Sequence, residues 1–435
     1  MSAVGRALSV LNRLAGSEFI DRFGLRGPAQ AMAYRAVKNG VVLGDAASKR
    51  FKSLTKLGKA EHLPPAATRE LFDLTFTEEQ DMIRDSAQRV AKEHLRRAGN
   101  AASAAAKAPD EILARINELG LLQYAIPESL GGVGHERAPV TSVLVAEALS
   151  YGDMGLAVAG LSSVGVVNTL VRWGSAEQQA KYLPAFLEER PAVAALALME
   201  PHVLVDPLSP RTRARPQGPD FVLRGAKTMV PLAEQAELVL VGAEIDGRGP
   251  AVFLVERGAP GVTLRADPAM GVRGASLGRI DLEDVRVDGG ALLGDEFTPA
   301  MYEEMIDLAR IGWCALAVGT SQAVLDYVIE YCNDRIAFGE PISNRQAVAF
   351  TIANIAIELE SMRLLTLRAA SRAEQGLPFH REAYLARVLT AEKAVEIGTN
   401  GVQLLGGHGY ITDHPLERWY RDLAGVGIME GGVLA

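Results

Sequence analysis

Hydrophobic positions along this chain change their spacing twice. From Phe76 to about residue 190 they recur every three or four residues, as in helices that bury one face. Thr77 is placed to cap the first helix, with Gln80 at the third helical position and Met82, Ile83, Ala87 and Val90 as its apolar stripe. Pro109-Asp110 opens a second, carrying Ile112, Leu113, Ile116, Leu119 and Leu121. The alanine-rich stretch 98–108 reads as a link between them. After the turn Pro127-Glu-Ser-Leu-Gly-Gly132, helical spacing resumes over residues 140–149, 164–173 and 176–187.

Around residue 191 the period falls to two. Short runs rich in β-branched residues, at 220–225, 237–242, 250–256, 261–265 and 278–287, are punctuated by Gly and Pro. They predict an antiparallel β-domain, a small barrel or sandwich. From Pro299 the helical spacing returns, with a long helix to about Tyr331, a second over about 344–374 and a third over about 382–405. With a shorter segment at 415–424 they suit a four-helix arrangement. The fold class is α+β, with helical, β and helical domains at 76–190, 191–297 and 298–435, after an extension at 1–75.

Composition narrows the function. At 435 residues the chain exceeds a single compact core, and a 48% hydrophobic content supports a large one. A net charge of −8 argues against nucleic acid as a partner, because phosphate binding rests on Lys and Arg. Cys314 and Cys332 have no metal-ligand spacing and read as reduced core thiols. The seven histidines form no cluster with cysteine, so no metal is expected. No run of eighteen apolar residues occurs, so no membrane-spanning helix is expected.

The extension is different. Between Met1 and His62 there are eleven Lys or Arg and four Asp or Glu, with Val4, Leu8, Leu11 and Leu14 at helical spacing. Such an arm suits a membrane surface or docking on the protein's own oligomer. Glu18 and Asp21 weigh against a transit peptide, and Pro64-Pro65 ends the segment. The expected location is cytoplasmic, with residues 1–62 available for peripheral membrane contact.

Gly274-Ala-Ser276-Leu-Gly278 spells the elbow of serine hydrolases. That elbow needs a helix after it, and a strand-like segment follows here, which argues against a hydrolase. Three other pieces carry more. They are Asp307-x-x-Arg310 in the long helix, Arg335-x-x-Phe338-Gly339-x-Pro341-Ile342 with Gln346 beyond it, and the closing Gln403-x-x-Gly406-Gly407 and Met429-Glu430-Gly431. In this order, on an α, β, α chain, they resemble the acyl-CoA dehydrogenase family from about Phe76 to Gly431.

The resemblance implies FAD as cofactor. Arg335, Phe338 and Gln346 would lie against the FAD of a neighbouring subunit, with Arg335 on its pyrophosphate, where guanidinium pairs bidentately and keeps its charge. From position alone, Arg335 would equally cap the preceding helix. Gln403, Gly406 and Gly407 would meet the adenosine part, glycine letting the backbone come close. Asp307 and Arg310 would face the CoA end of the substrate, although their spacing also makes an ordinary surface ion pair. Glu430 would be the catalytic base. Some members carry the base directly before the arginine of the long helix, and here that position is Ala309.

The implied reaction is α,β-dehydrogenation of an acyl-CoA thioester. Glu430 would take the α-proton while the β-hydride passes to flavin N5, with an electron-transfer flavoprotein or other acceptor reoxidising the cofactor. A homodimer or tetramer is implied by the shared FAD. Two segments depart from the family at the flavin. Its Thr-Glu-Pro-Gly-Ala-Gly-Ser-Asp is Met199-Glu-Pro-His202-Val203-Leu204-Val205-Asp206, and its Lys-x-Trp-Ile-Thr is Lys227-Thr228-Met229-Val230-Pro231. The alternative they raise is a non-catalytic or half-site subunit that serves as a scaffold or partner in a heteromeric complex.

Overall fold

Helix α1 (Glu78–Val90) begins as its sequence dictates. Thr77 accepts from the Gln80 N–H while Gln80 reaches back to the Thr77 N–H, satisfying two donors that a helix start leaves free. The computed structural model describes residues 75–135 and 137–430. The basic arm at 1–62 lies outside them. The link expected at 98–108 is corrected, because α1 runs through a π turn (Ala91–Leu95) directly into α2 (Arg96–Ala105). Alanine is the best helix former, and the small side chains let this helix press close. A Cβ on Gly99 would stand 2.4 Å from Asp153 Oδ2.

The layer continues with α3 (Asp110–Asn117), α4 (Leu121–Ala125), α5 (Pro139–Ser150), α6 (Met154–Trp173) and α7 (Ala176–Tyr182). Asp153 caps α6, accepting from the Leu156 N–H at 3.0 Å.

Seven strands follow: β1 (Ala194–Ala197), β2 (Arg213–Gln217), β3 (Asp220–Val230), β4 (Leu238–Ile245), β5 (Gly249–Glu256), β6 (Val262–Ala266) and β7 (Gly278–Val287). They form one sheet in the order β1-β4-β2-β3-β7-β6, with β5 paired to β4. Most pairings are antiparallel, but β1 and β2 each run parallel to β4. An all-antiparallel sheet is therefore corrected at two pairings. Parallel neighbours need a crossover longer than a hairpin, and the chain between β1 and β4 supplies it. The hydrolase-like Ser276 has a structural task here. Its Oγ accepts from the Ala108 N–H at 2.9 Å, and β7 rather than a helix follows.

Helix α8 (Pro299–Asp334) is 36 residues long, about 54 Å at the standard rise. A two-stranded hairpin (β8, Ile336–Ala337; β9, Glu340–Pro341) links it to α9 (Gln346–Glu374), α10 (His380–Leu405) and α11 (Leu416–Val426). α8 packs against α9, α10 and α11, and its other side packs against α5. By length and composition α6 and α8 are apolar enough to cross a bilayer, although neither holds eighteen consecutive apolar residues. Over their most apolar windows 56% and 78% of residues are buried in the protein, so core packing explains that apolarity.

Candidate active site

The turn after α11 presents Glu430. Its backbone lies at φ 48°, a left-handed conformation that costs a non-glycine residue on the order of 1–2 kcal/mol. Two arginines hold this turn. Arg310, from α8, donates to the Glu430 carbonyl at 3.4 Å, and Arg387, from α10, donates to the carbonyls of Val426 and Met429. The carboxyl is buried, and its Oε2 has no partner among the described residues. Burial pushes it up to about 7, against the opposing pull of Arg387 and Arg310.

Asp307 and Arg310 are both buried, with Arg310 Nη1 3.6 Å from Asp307 Oδ1. The surface-pair reading is thereby excluded. The other oxygen of Asp307 lies 2.7 Å from His380 Nδ1, at the start of α10. Burial holds the Asp307 carboxyl above its ordinary value, and His380 and Arg310 offset only part of that rise.

A largely apolar cavity of about 280 Å³ opens between α5, α6 and α8. Val145, Leu161, Val164, Leu196 and Leu308 line it, and so does Ala309. Ala309 immediately precedes Arg310, so one turn of α8 faces both the cavity and the turn that carries Glu430. A buried carboxylate with a free oxygen is equipped to remove a proton from a bound organic substrate.

A second groove, about 450 Å³, lies at the far end of α10. It brings Arg335, Gln403, Gly406 and Gly407 together with Tyr331 and His408. Gly406 adopts φ 58°, and a Cβ on either glycine would meet nothing within 4 Å, so the backbone itself faces the open groove. Arg335 occupies the C-cap position of α8, as position alone suggested, while its side chain lines the groove. A guanidinium, a carboxamide and bare backbone suit the adenosine and pyrophosphate end of a dinucleotide. The residues therefore fit that part of FAD. Phe338 and Gln346 do not line this groove. Phe338 is 96% exposed on the hairpin, at φ 55°, and Gln346 is exposed in the first turn of α9.

The two departing segments are adjacent, Thr228 N–H donating to the Met199 carbonyl at 3.0 Å. Their charged framework persists. Lys227 Nζ, fully buried, reaches Glu200 Oε1 at 2.8 Å, and Glu200 also accepts from the N–H groups of Arg211 and Thr212. Burial opposes ionisation of Glu200, but Lys227 and these hydrogen bonds outweigh it and hold the carboxyl at about 2. The pairing of β3 with β7 slips between Lys227 and Val230, where Met229 sits at φ 55° and its N–H donates to Asp267 at 2.9 Å.

Sequence reasoning missed Arg387 and His380. Arg387 left a signal, because it falls among Ala383, Ala386, Ala391 and Ala394 on the buried face of α10. A charge on an apolar stripe marks a group that needs a partner. His380 left none.

Residues 77–190, 195–285 and 300–432 match the N-terminal, middle and C-terminal domains of acyl-CoA dehydrogenases. The chain is 34% identical to the human mitochondrial short-chain specific acyl-CoA dehydrogenase over 326 residues, covering 73% of this chain and 78% of that protein. It is similar to the structure of butyryl-CoA dehydrogenase from Megasphaera elsdenii, with a TM-score of 0.77 and 27% identity, covering 83% and 97% of the two chains. Coverage and TM-score are the same, at 30% identity, for a chain from a study of the electron transferring flavoprotein of Acidaminococcus fermentans. With all three domains matched in order around a buried carboxylate and a dinucleotide-type groove, the chain belongs to the acyl-CoA dehydrogenase family and is an FAD-dependent oxidoreductase.

Proposed function

We propose that the protein dehydrogenates an acyl-CoA thioester between its α and β carbons, with Glu430 as the base that takes the α-proton. The observation that carries this is the buried Glu430 carboxyl, raised to about 7, with an unpartnered oxygen, on a turn held by Arg310, the residue after the cavity-lining Ala309. A base with a pKa near the working pH combines an available charge with real proton affinity. The Glu430 N–H donates to no acceptor among the described residues. It is thus available to the thioester oxygen, on which negative charge develops as the proton leaves. Asp307 and Arg310 fix the same turn of α8 and bind the CoA end. FAD bound here supplies the acceptor for the hydride leaving the β-carbon. Arg335, Gln403, Gly406 and Gly407 would hold the pyrophosphate and adenosine of the FAD of a neighbouring subunit, with Phe338 and Gln346, both exposed, against the same cofactor.

Retention of a tuned, buried carboxylate favours this reading over a non-catalytic scaffold. The deciding experiment is Glu430→Gln in the FAD-loaded protein. Flavin absorbance near 450 nm should remain, while its bleaching by added acyl-CoA should be lost. Normal bleaching by the variant would place the base elsewhere.

Similarity to the chain from the electron transferring flavoprotein study supports such a protein as the electron acceptor. Phe338 and Gln346 point outward from the groove, which supports a second copy as the molecule they serve. Phe350, Ile357 and Leu364 add an exposed apolar stripe at seven-residue intervals on α9, consistent with a dimer or tetramer. The basic composition of residues 1–62 supports peripheral contact with an anionic membrane from a cytoplasmic location.

A further inference from the structure

We infer that Arg387 is the positioning residue of the base, tying down the turn that presents Glu430. This rests on the reading of Glu430 as the base and adds a residue that works through it. Arg387 projects from the middle of α10 and is buried. One guanidinium nitrogen donates to the Val426 carbonyl, the last residue of α11, and the other donates to Met429 O at 2.5 Å. The fork therefore spans the turn from its first carbonyl to the residue before the base. Arg310 holds the next carbonyl, that of Glu430, from α8. Consecutive carbonyls are thus gripped from two different helices, on a turn whose φ of 48° is strained. Strain of this kind persists only where the surroundings over-determine the conformation.

The same guanidinium acts on the carboxyl. The cations that reach Glu430 are Arg387 from α10 and Arg310 from α8. Asp307 stands behind Arg310, with His380 on its far oxygen, and the Cys314 thiol of α8 lies near Arg387. Arg310 already shares its charge with Asp307, so Arg387 is the larger influence that favours ionised Glu430. A planar fork grips two carbonyls at fixed separation, whereas an ammonium supplies charge without that geometry.

Full-length, FAD-loaded Arg387→Lys and Arg387→Met are compared with wild type and Glu430→Gln, with kcat counted per bound flavin. In Arg387→Met, kcat should fall on the order of 100-fold, as for a reacting group displaced by about 1 Å. KM should change little, and the acidic limb of the kcat/KM profile should move to higher pH. Arg387→Lys should leave that limb in place and recover part of kcat. Unfolding at several pH values gives a readout free of turnover, since the stability gained by Glu430→Gln above pH 7 should grow in the Arg387→Met background. If Arg387→Met does not fold, Arg387→Lys decides alone. A per-flavin kcat lowered at least tenfold with the limb unmoved supports the clamp, and wild-type values for both overturn it. If Glu430→Gln keeps wild-type turnover, the base assignment fails first. If it is inactive while the Arg387 variants match wild type per flavin in kcat and limb, only this inference fails.

Discussion

Glu430 is held in a state that an isolated glutamate would leave. Its backbone is left-handed, its carboxyl is out of water, and burial lifts its pKa to about 7. Two outcomes follow for a group of this kind. The kcat/KM profile should rise as pH passes through about 7, because only the ionised carboxylate accepts a proton. The stability effect has the opposite direction. The folded pKa lies above the unfolded one, so the contribution of Glu430 is fully present below about pH 4 and is lost as pH rises through about 7. Glu430→Gln should therefore unfold at a higher temperature than wild type at pH 8, by an amount on the order of 3 kcal/mol, and match it near pH 4. Equal melting temperatures at pH 8 would show that the carboxyl is not desolvated. The sequence made this residue visible as a carboxylate among glycines in a familiar place. Its pKa was not legible, because desolvation depends on what α8 and α10 bring around it.

At the scale of elements, α11 leads into the turn that carries Glu430, the proposed base, and its anchoring sets where that turn lies. Arg418, on α11, meets Asp153 at 3.0 Å, both residues being buried, and Asp153 is also the cap of α6. Asp153→Asn keeps a competent cap but takes from Arg418 its direct ion-pair partner, leaving Asp422 as the nearby carboxylate. The expected loss in urea unfolding is roughly 1–3 kcal/mol, that of a buried charge-assisted hydrogen bond. A loss under about 1 kcal/mol would mean that water reaches this arginine. One turn further on, Asp422 accepts from the Val272 N–H at 2.6 Å and ties α11 to the β-domain. Burial, with Asp153 close by, pushes its carboxyl up. Its stabilising contribution is accordingly present at low pH and lost as pH rises through its folded pKa. Asp422→Asn should flatten that part of the stability profile, read from melting temperatures between pH 4 and 8.

Elements with a strong period were legible. The capping box of α1 and the bounds of α9 near Glu374 and α10 near Leu405 follow from residues a few positions apart. The 98–108 stretch was not, since alanine is equally at home in a link or a close-packed helix, and only the contact with Asp153 decides.

For the whole molecule, the groove at Arg335 and Gln403 and the apolar cavity at Ala309 are separate places joined by long helices. Arg335 and Gln403 are 68 residues apart in sequence, on α8 and α10, yet they line one groove. Phe338 stands out from it almost fully exposed, as expected for a residue completed by another copy. Phe350→Asp with Ile357→Asp should shift the protein to a smaller species in analytical ultracentrifugation and lower its FAD content. An unchanged sedimentation coefficient would reject α9 as the interface. Removal of residues 1–62 should abolish sedimentation with anionic vesicles while per-flavin turnover stays the same, and continued co-sedimentation would acquit the arm.

Sequence by itself determined the order of helical and β stretches, the caps, the three family pieces and the empty base position at Ala309. These depend on local spacing, which a chain displays directly. Only the tertiary structure decided that Asp307 and Arg310 are buried, that Arg387 grips the turn before Glu430, and that Glu200 and Lys227 pair across the two altered segments. Burial and pairing across long sequence separations set these energies, and no local pattern encodes which distant groups will meet.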